Sequence, residues 1–574
     1  MKRLRTFLFV IVVLFLIAGL SGFFLVKKMT FNLTEWEYAA DINTQQTLPK
    51  RPNILLLVAE DMSARVNAFG DSIAHTPNID ALAKMGVRYP NTFTTAGVCA
   101  PSRAALIMGI HQISIGGQHM RASGRPEGAY QCVPPEEMKA FPELLRRAGY
   151  FTFNTSKQDY QFSGVRIGSG PFTIWDTEDD VNLWRSRQAG QPFFGMLNFM
   201  ETHESGIFPP LGHRPKSMVH LLLQVFRAGL KKSDIDFSPN EIALPPYYPN
   251  TSTVRQDIVR HYQNIAAMDG IVGDVMNKLK KDGLLESTIV IWTTDHGDGL
   301  PRAKRELYDS GIKVPMVIYW PEAFRPQDVQ AGMVDERMIS FVDLAPTILS
   351  LAKTPIPNYI HGRNFIKDIL HRTHIFAARD RIDEVKDRQR AVRNHRFKYI
   401  KSWYPNQAGG HQLAFRDNIP MMKEFWKLKG ENRLNEEQLL WFEAPGEERL
   451  FDVQNDPYEL EDISQDTVYS EVLIEMRQVL NDWLSSVDDW SELAESEMVN
   501  RFRPNGTAEQ TPIPIISEAE GIIKISAPHN ASIGYQIDDS KWQVYTQPFQ
   551  IIEGQSVRAK AVRYGWEESE VAVF

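Results

Sequence analysis

The sequence predicts an α/β protein: a large mixed, mostly parallel sheet flanked by helices, then a smaller C-terminal α+β subdomain and an appended small β-sandwich. Three observations predict it. Largely apolar runs recur at residues 54–59, 193–199, 288–294 and 314–320, the pattern of strands buried on both faces. Amphipathic stretches fall between them; Ile258, Tyr262, Ile265, Val272, Val275, Met276 and Leu279 form one helical stripe ahead of the run at 288. Beyond Arg503 the composition turns to β-branched residues and short turns at 527–530 and 538–539, as in a small sandwich.

Further elements follow in order. Residues 391–404 read as strand material, and Val472, Met476, Val479, Leu480 and Trp483 share one face of a late helix. The chain thus divides into residues 1–28, a linker at 29–50, the main α/β domain at 51–370, a C-terminal subdomain at 371–500 and a small β domain at 511–574. Residues 1–28 carry a basic head, MKRLR, then an apolar run from Phe7 to Val26, then Lys27 and Lys28. That is an export signal, and the run is long enough to span a bilayer. A retained membrane anchor is favoured over a cleaved signal peptide, because no clean small-x-small site ends the run. Contact with membrane is expected only through residues 7–26, and the body is expected outside the cytoplasm, in the periplasm or at the cell surface.

The net charge of −8 gives no global basic field for nucleic acid. Residues 451–500 alone carry 14 acidic and one basic residue, so the remainder is +5. Only Cys99 and Cys132 are present, which excludes a disulfide framework and a cysteine-rich zinc site. Cys132 reads as a buried apolar filler.

The sharpest motif is Cys99-Ala100-Pro101-Ser102-Arg103. A loop, Thr94-Thr95-Ala96-Gly97, precedes it and a helix start, residues 103–107, follows. The motif therefore sits where helix N-terminal amides face an anion. Polar residues also end the predicted strands: Glu60-Asp61, Glu201-Thr202-His203 and Asp295-His296, at the edge where open α/β sheets bind ligands.

Here the chain resembles the sulfatase family of the alkaline-phosphatase-like superfamily. The resemblance rests on RPNILLLVAEDMS, CAPSR, PFFGMLNFMETHES, TTDHGDGLPRAKRELYDSGIKVPMVIYWP and LFDVQNDPYELEDIS, in that order over about residues 50–480. It implies that Cys99 is oxidised to formylglycine by a dedicated maturation enzyme. One hydroxyl of the hydrated aldehyde then attacks sulfur and the other helps expel sulfate. It further implies a divalent cation, calcium or alternatively magnesium, held by Glu60, Asp61, Asp295 and His296 together with the Cys99-derived group. Arg103 would hold the formylglycine, Lys157 falls at the lysine of the family's Gly-Lys-x-His and is a catalytic candidate, Lys304 would contact sulfate, and either His203 or Lys304 would protonate the leaving oxygen. Two departures stand out: Glu60 replaces a family aspartate, and Asp159 stands where the family has histidine, so Asp159 instead reads as a substrate contact. His111 and His119, just after the motif, are equally candidates for the substrate pocket or for structural roles.

Within the family, EDMS, TTAGVCAPSR and TTDHGDG look closest to bacterial heparan N-sulfatase-like and ulvan-active enzymes. The expected activity is desulfation of a sulfated polysaccharide or its oligosaccharides, ulvan-like first. The alternatives are an N-sulfoglucosamine sulfohydrolase, a phosphonate or phosphate ester hydrolase of the same superfamily, and a non-catalytic binder of sulfated glycans. A membrane-bound transferase of charged head groups is disfavoured, since those enzymes use Thr or Ser where this chain has Cys99.

Overall fold

The computed structural model describes residues 50–120, 128–178, 181–368 and 370–574. Residues 1–28 and nearly all of the predicted linker lie outside them. Among the described residues no helix is long and apolar enough to cross a membrane.

Seven strands form the main sheet in the order β3-β4-β1-β5-β6-β2-β7: β1 Asn53–Ala59, β2 Val87–Phe93, β3 Phe151–Asn154, β4 Phe193–Phe199, β5 Thr288–Thr294, β6 Lys313–Tyr319 and β7 Ile339–Ser340. β3, β4, β1 and β5 run parallel. β6 is antiparallel to both β5 and β2, which makes the sheet mixed. The central strands β1, β4 and β5 are buried at every position, as their apolar runs require. Helices cover both faces. On one side the 30-residue α5, Ser252–Lys281, packs Ile258, Tyr262, Ile265, Val272, Val275 and Leu279 against Leu55, Leu57 and Trp292. On the other, α2, Cys99–Met108, and α6, Leu344–Leu351, bury Leu106, Ile107 and Ile348 against Ile54, Leu56 and Ile289. The chain also forms α1, Pro77–Met85, ahead of α2, and α3, Phe141–Arg147, and α4, Met218–Ala228, between α2 and α5.

A four-stranded antiparallel sheet follows: β8 Ile375–Arg379, β9 Gln389–Arg393, β10 Phe397–Ser402 and β11 Glu448–Asp452. The segment read from sequence as strand material is the β9–β10 hairpin. The Asn394 side chain turns it, accepting from the backbone of Arg396 and Phe397. Helix α7, Ser470–Ser486, lays Met476, Leu480 and Trp483 on this sheet. Residues 515–573 form two further antiparallel sheets, of three and four strands. These share a core of Ile523, Ile525, Ile533, Val557, Ala559 and Ala561.

Candidate active site

The strand ends build the site. β1 delivers Glu60 and Asp61, and β5, its neighbour, delivers Asp295 and His296. Parallel pairing in register places both pairs at the same carboxyl edge, and the Asp61 N–H donates to Asp295 Oδ1 at 3.0 Å. Asp61 has φ 47°, a left-handed conformation rare for a non-glycine residue. Ser156, Asp159, Arg302 and Arg305 also hold positive φ nearby, so strained backbone gathers around one place.

Cys99 is the first residue of α2, capped by extended Val98. The helix starts four residues earlier than the sequence suggested. Pro101 lies in its first turn, where a missing N–H costs nothing. Cys99 Sγ lies 3.3 Å from His296 Nε2, 3.7 Å from Asp61 Oδ1 and 3.8 Å from Glu60 Oε2. All four side chains are fully buried.

Cations surround the carboxylates. Arg103, one turn along α2, pairs with Glu60, and also bonds Asp295 Oδ2 (3.1 Å) and Asn198 Oδ1 (2.7 Å). Lys157 Nζ donates to Glu60 Oε2 at 2.7 Å and lies 3.6 Å from Asp159. Lys304 Nζ lies 2.5 Å from Asp61 Oδ2 and 3.0 Å from Glu204. Burial alone would lower Lys304, but the Asp61 and Glu204 carboxylates outweigh it and hold the ammonium above its usual range. Burial, with Lys304 and Lys157 adding to it, pushes the His203 imidazole down to about 3 against the pull of Asp61. His203 Nδ1 meets Ser205 Oγ at 2.9 Å, which leaves Nε2 for other work.

The donor set fits a hard cation. Glu60, Asp61 and Asp295 supply carboxylate oxygens. One ligand atom each from Asp61, Cys99, Asp295 and His296 lie within 4.8 Å of one another, as do those of Glu60, Asp61, Cys99 and His203. His296 Nδ1 sits 2.9 Å from the Gly297 carbonyl, which suits an Nδ1–H donor, so a bound cation would take Nε2, which faces the Asp61 carboxylate at 3.0 Å.

Of the residues singled out from sequence, Glu60, Asp61, Cys99, Arg103, Lys157, Asp159, His203, Asp295, His296 and Lys304 meet here. His111 does not. It follows the far end of α2, roughly 15 Å along the helix from Cys99, with its ring 5.0 Å from Trp483 and 5.9 Å from His361. His119 faces the Arg381 backbone, whose N–H donates to its Nδ1 at 3.3 Å. Its neighbour Met120 packs with Ile382 against Val98 and Cys99. Cys132 is a free, buried thiol in the apolar cluster beside α2.

Sequence reasoning missed three partners. Asn198, in β4, receives Arg103 and donates to Asn154 Oδ1 and the Thr155 carbonyl. Glu204 donates its backbone N–H to Asp61 Oδ2 at 2.7 Å and receives both ends of Arg305, at 2.9 and 2.8 Å. Arg305, next to Lys304, donates its own N–H to the Gly97 carbonyl at 2.6 Å, locking the loop ahead of Cys99. The run Arg302-Ala303-Lys304-Arg305 holds the available signal, a second cation directly beside Lys304.

A mixed α/β sheet with a thiol at a helix N-terminus, set among strand-end carboxylates and buried cations, defines an ester hydrolase built around an anion-binding centre. The family model described as "Sulfatase" matches residues 52–354, and that described as "N-sulphoglucosamine sulphohydrolase, C-terminal" matches 302–422. An ulvan-active sulfatase of Formosa agariphila is 40% identical over 562 residues, covering 92% of each chain. The human N-sulphoglucosamine sulphohydrolase is 26% identical over 75% of this chain and 89% of its own. Among solved structures, a 2-O GAG sulfatase superimposes with TM-score 0.53 at 19% identity over 78% of this chain and 94% of that one. A protein solved with its substrate D-glucosamine-2-N,6-O-disulfate gives 0.52 at 16% identity over 78% and 100%. The chain belongs to the sulfatase family and is a sulfuric ester hydrolase.

Proposed function

We propose that this enzyme removes ester sulfate from an ulvan-like polysaccharide or its oligosaccharides outside the cytoplasm, with Cys99 converted to formylglycine and a divalent cation, calcium, at Glu60, Asp61, Asp295 and His296. The observation that carries this reading is the position of Cys99 Sγ, within 3.8 Å of Glu60, Asp61 and His296 at a helix N-terminus. When present, the hydrated aldehyde and the cation would supply an activated oxygen nucleophile and neutralise sulfate charge.

The chain's own residues do the rest. Arg103 fixes Glu60 and Asp295 relative to α2, so the nucleophile and the carboxylates move as one body. Lys157, paired with Glu60, and Lys304, paired with Asp61, bring buried ammonium groups that match the spread negative charge of a sulfate ester. Of the two candidates for giving the leaving sugar oxygen its proton, His203 and Lys304, the ammonium of Lys304 is the one held protonated here, beside Asp61 and Glu204. Full burial of the cluster keeps bulk water from the reacting atoms. The activity named for the Formosa agariphila relative supports the substrate, and the likeness spans 92% of each chain. The match of residues 302–422 to the N-sulphoglucosamine model supports a second reading, hydrolysis of an N-sulfate.

The test is co-production with the maturation enzyme and release of sulfate from defined ulvan and N-sulfoglucosamine oligosaccharides. The Cys99 peptide should lose its sulfur by mass spectrometry. Cys99→Ala should drop turnover by roughly a thousandfold or more, and a chelator should abolish it. Equal turnover by Cys99→Ala would end the formylglycine reading, and preference for the N-sulfate would replace the ulvan one.

A further inference from the structure

Helix α4 buries Phe226 and packs Leu223 on the core, yet it presents a second apolar face to water. Its polar residues His220 and Gln224, one turn apart, are buried at 2% exposure each. Its apolar residues Met218, Val219 and Leu222 stand outward at 65%, 59% and 50% exposure. In a soluble protein the hydrophobic stripe of such a helix turns to the core. Here Gln224 instead donates inward to the carbonyls of Pro209, Pro210 and His213. That pins the preceding loop, on which Leu211 is exposed at 52%. Four large apolar side chains thus lie exposed on one short stretch of chain.

The charge of the same segment points to what covers them. Residues 205–233 contain Arg214, Lys216, Arg227, Lys231 and Lys232 and no acidic residue, a net +5 in a chain of net −8. Arg227 is spent on the carbonyls of Met200 and Glu201, and Lys231 pairs with Asp274. Arg214 and Lys232 are exposed at the two ends of the apolar face, and Lys216, also exposed, donates to the Asp417 carbonyl at 2.7 Å. Basic flanks around an outward apolar helix face match an anionic lipid surface: acyl chains take the apolar side chains and headgroups take the cations. A sulfated polymer would satisfy the cations but leave the apolar face wet. The apolar run at residues 7–26 independently sets the chain near a bilayer.

We propose that residues 211–232 form an interfacial docking element, with α4 lying flat on an anionic membrane surface. Arg227 ties α4 to the loop that carries His203, so docking sets the reaction centre at a fixed height above the lipid. The membrane contact expected through residues 7–26 alone then gains a second point, and the enzyme is oriented as well as tethered.

The test places an environment-sensitive fluorophore at α4 through Val219→Cys in the full chain; the two native cysteines are buried. The protein is reconstituted in phosphatidylcholine vesicles or in vesicles containing phosphatidylglycerol. Docking predicts a blue shift only with phosphatidylglycerol, weakened by salt. Adding Met218→Glu and Leu222→Glu should lower the apparent response to those vesicles by roughly tenfold or more, with turnover of a soluble aryl sulfate unchanged. No response to phosphatidylglycerol overturns the proposal. So does a shift that grows with protein concentration without vesicles, which would mark a second copy as the occupant. A shift produced by sulfated polymer but not by vesicles overturns it as well.

Discussion

Arg103 is fully buried, and its guanidinium survives there because every side of it is occupied: two carboxylates and an amide oxygen. Arg103→Lys would keep the charge but lose the planar fork that reaches three acceptors. We expect a stability loss of about 1.5–3 kcal/mol for the abandoned charge-assisted bonds, read by thermal unfolding. Turnover should fall by roughly a hundredfold or more, since Glu60 and Asp295 lose their common brace. A variant with wild-type turnover would remove Arg103 from the site's architecture. Gly97 tests the neighbouring loop without touching any charged group. A Cβ there would stand 2.2 Å from the Glu306 carbonyl oxygen, a backbone atom, while Arg305 holds the Gly97 carbonyl from the other side. Gly97→Ala should cost about 1–3 kcal/mol and depress sulfate release by displacing Cys99. Unimpaired sulfate release would mean the loop yields more readily than these contacts imply.

Elements were legible where one physical cause dominates. The runs at 54–59 and 288–294 are strands because total burial leaves only apolar residues tenable, and the first polar residues after each run mark the sheet edge. Asp61 and Asp295 were therefore visible in pattern alone. The antiparallel direction of β6 was not visible in its apolar run, which reads the same in either direction. Asn198, Glu204 and Arg305 escaped because each gains meaning only from a partner distant in sequence; Asn198 looks like an ordinary strand residue until Arg103 reaches it. Glu143 in α3 is of the same kind. It is fully buried yet collects Arg147, Thr173, Ser532 and Tyr564. Burial pushes its carboxyl up, but Arg147, Lys139 and the hydroxyl donors outweigh that and bring it down to about 2 from an ordinary 4.5. A carboxyl depressed in the folded state adds stability that is whole above its unfolded value and is lost as pH falls through the folded one. The window is therefore about pH 4.5 to 2, worth on the order of 3 kcal/mol. Glu143→Gln should be less stable at pH 7 and show a shallower loss across that window in acid denaturation. Equally steep curves would refute the assignment.

At the scale of the whole molecule, the C-terminal sheets are seated on the α/β body by buried contacts. Tyr564 is fully buried in the apolar cluster that also holds Phe141, Phe162 and Ile54, and its hydroxyl donates to Glu143 Oε2 at 2.7 Å. Arg563 reaches the Pro134 carbonyl at 2.6 Å, Lys139 the Asn530 carbonyl at 2.7 Å, and Arg146 the Trp542 carbonyl at 2.9 Å. Next to Tyr564, Gly565 has φ 83°, and a Cβ on it would stand 2.2 Å from the Cys132 carbonyl oxygen, so the two backbones touch. A module hung on a flexible linker would melt by itself. One that shares a core residue and a buried carboxylate with its neighbour should melt with it. Scanning calorimetry of the intact chain is expected to show residues 511–574 and the main sheet unfolding in one transition. Tyr564→Ala would leave a ring-sized cavity and an unmet bond at Glu143, costing about 3–5 kcal/mol. It should split off a low-temperature transition belonging to the C-terminal sheets, while aryl sulfate turnover below that transition stays near wild type. Two transitions already present in the unmutated protein would show that the contacts at Tyr564 and Glu143 do not couple the two parts.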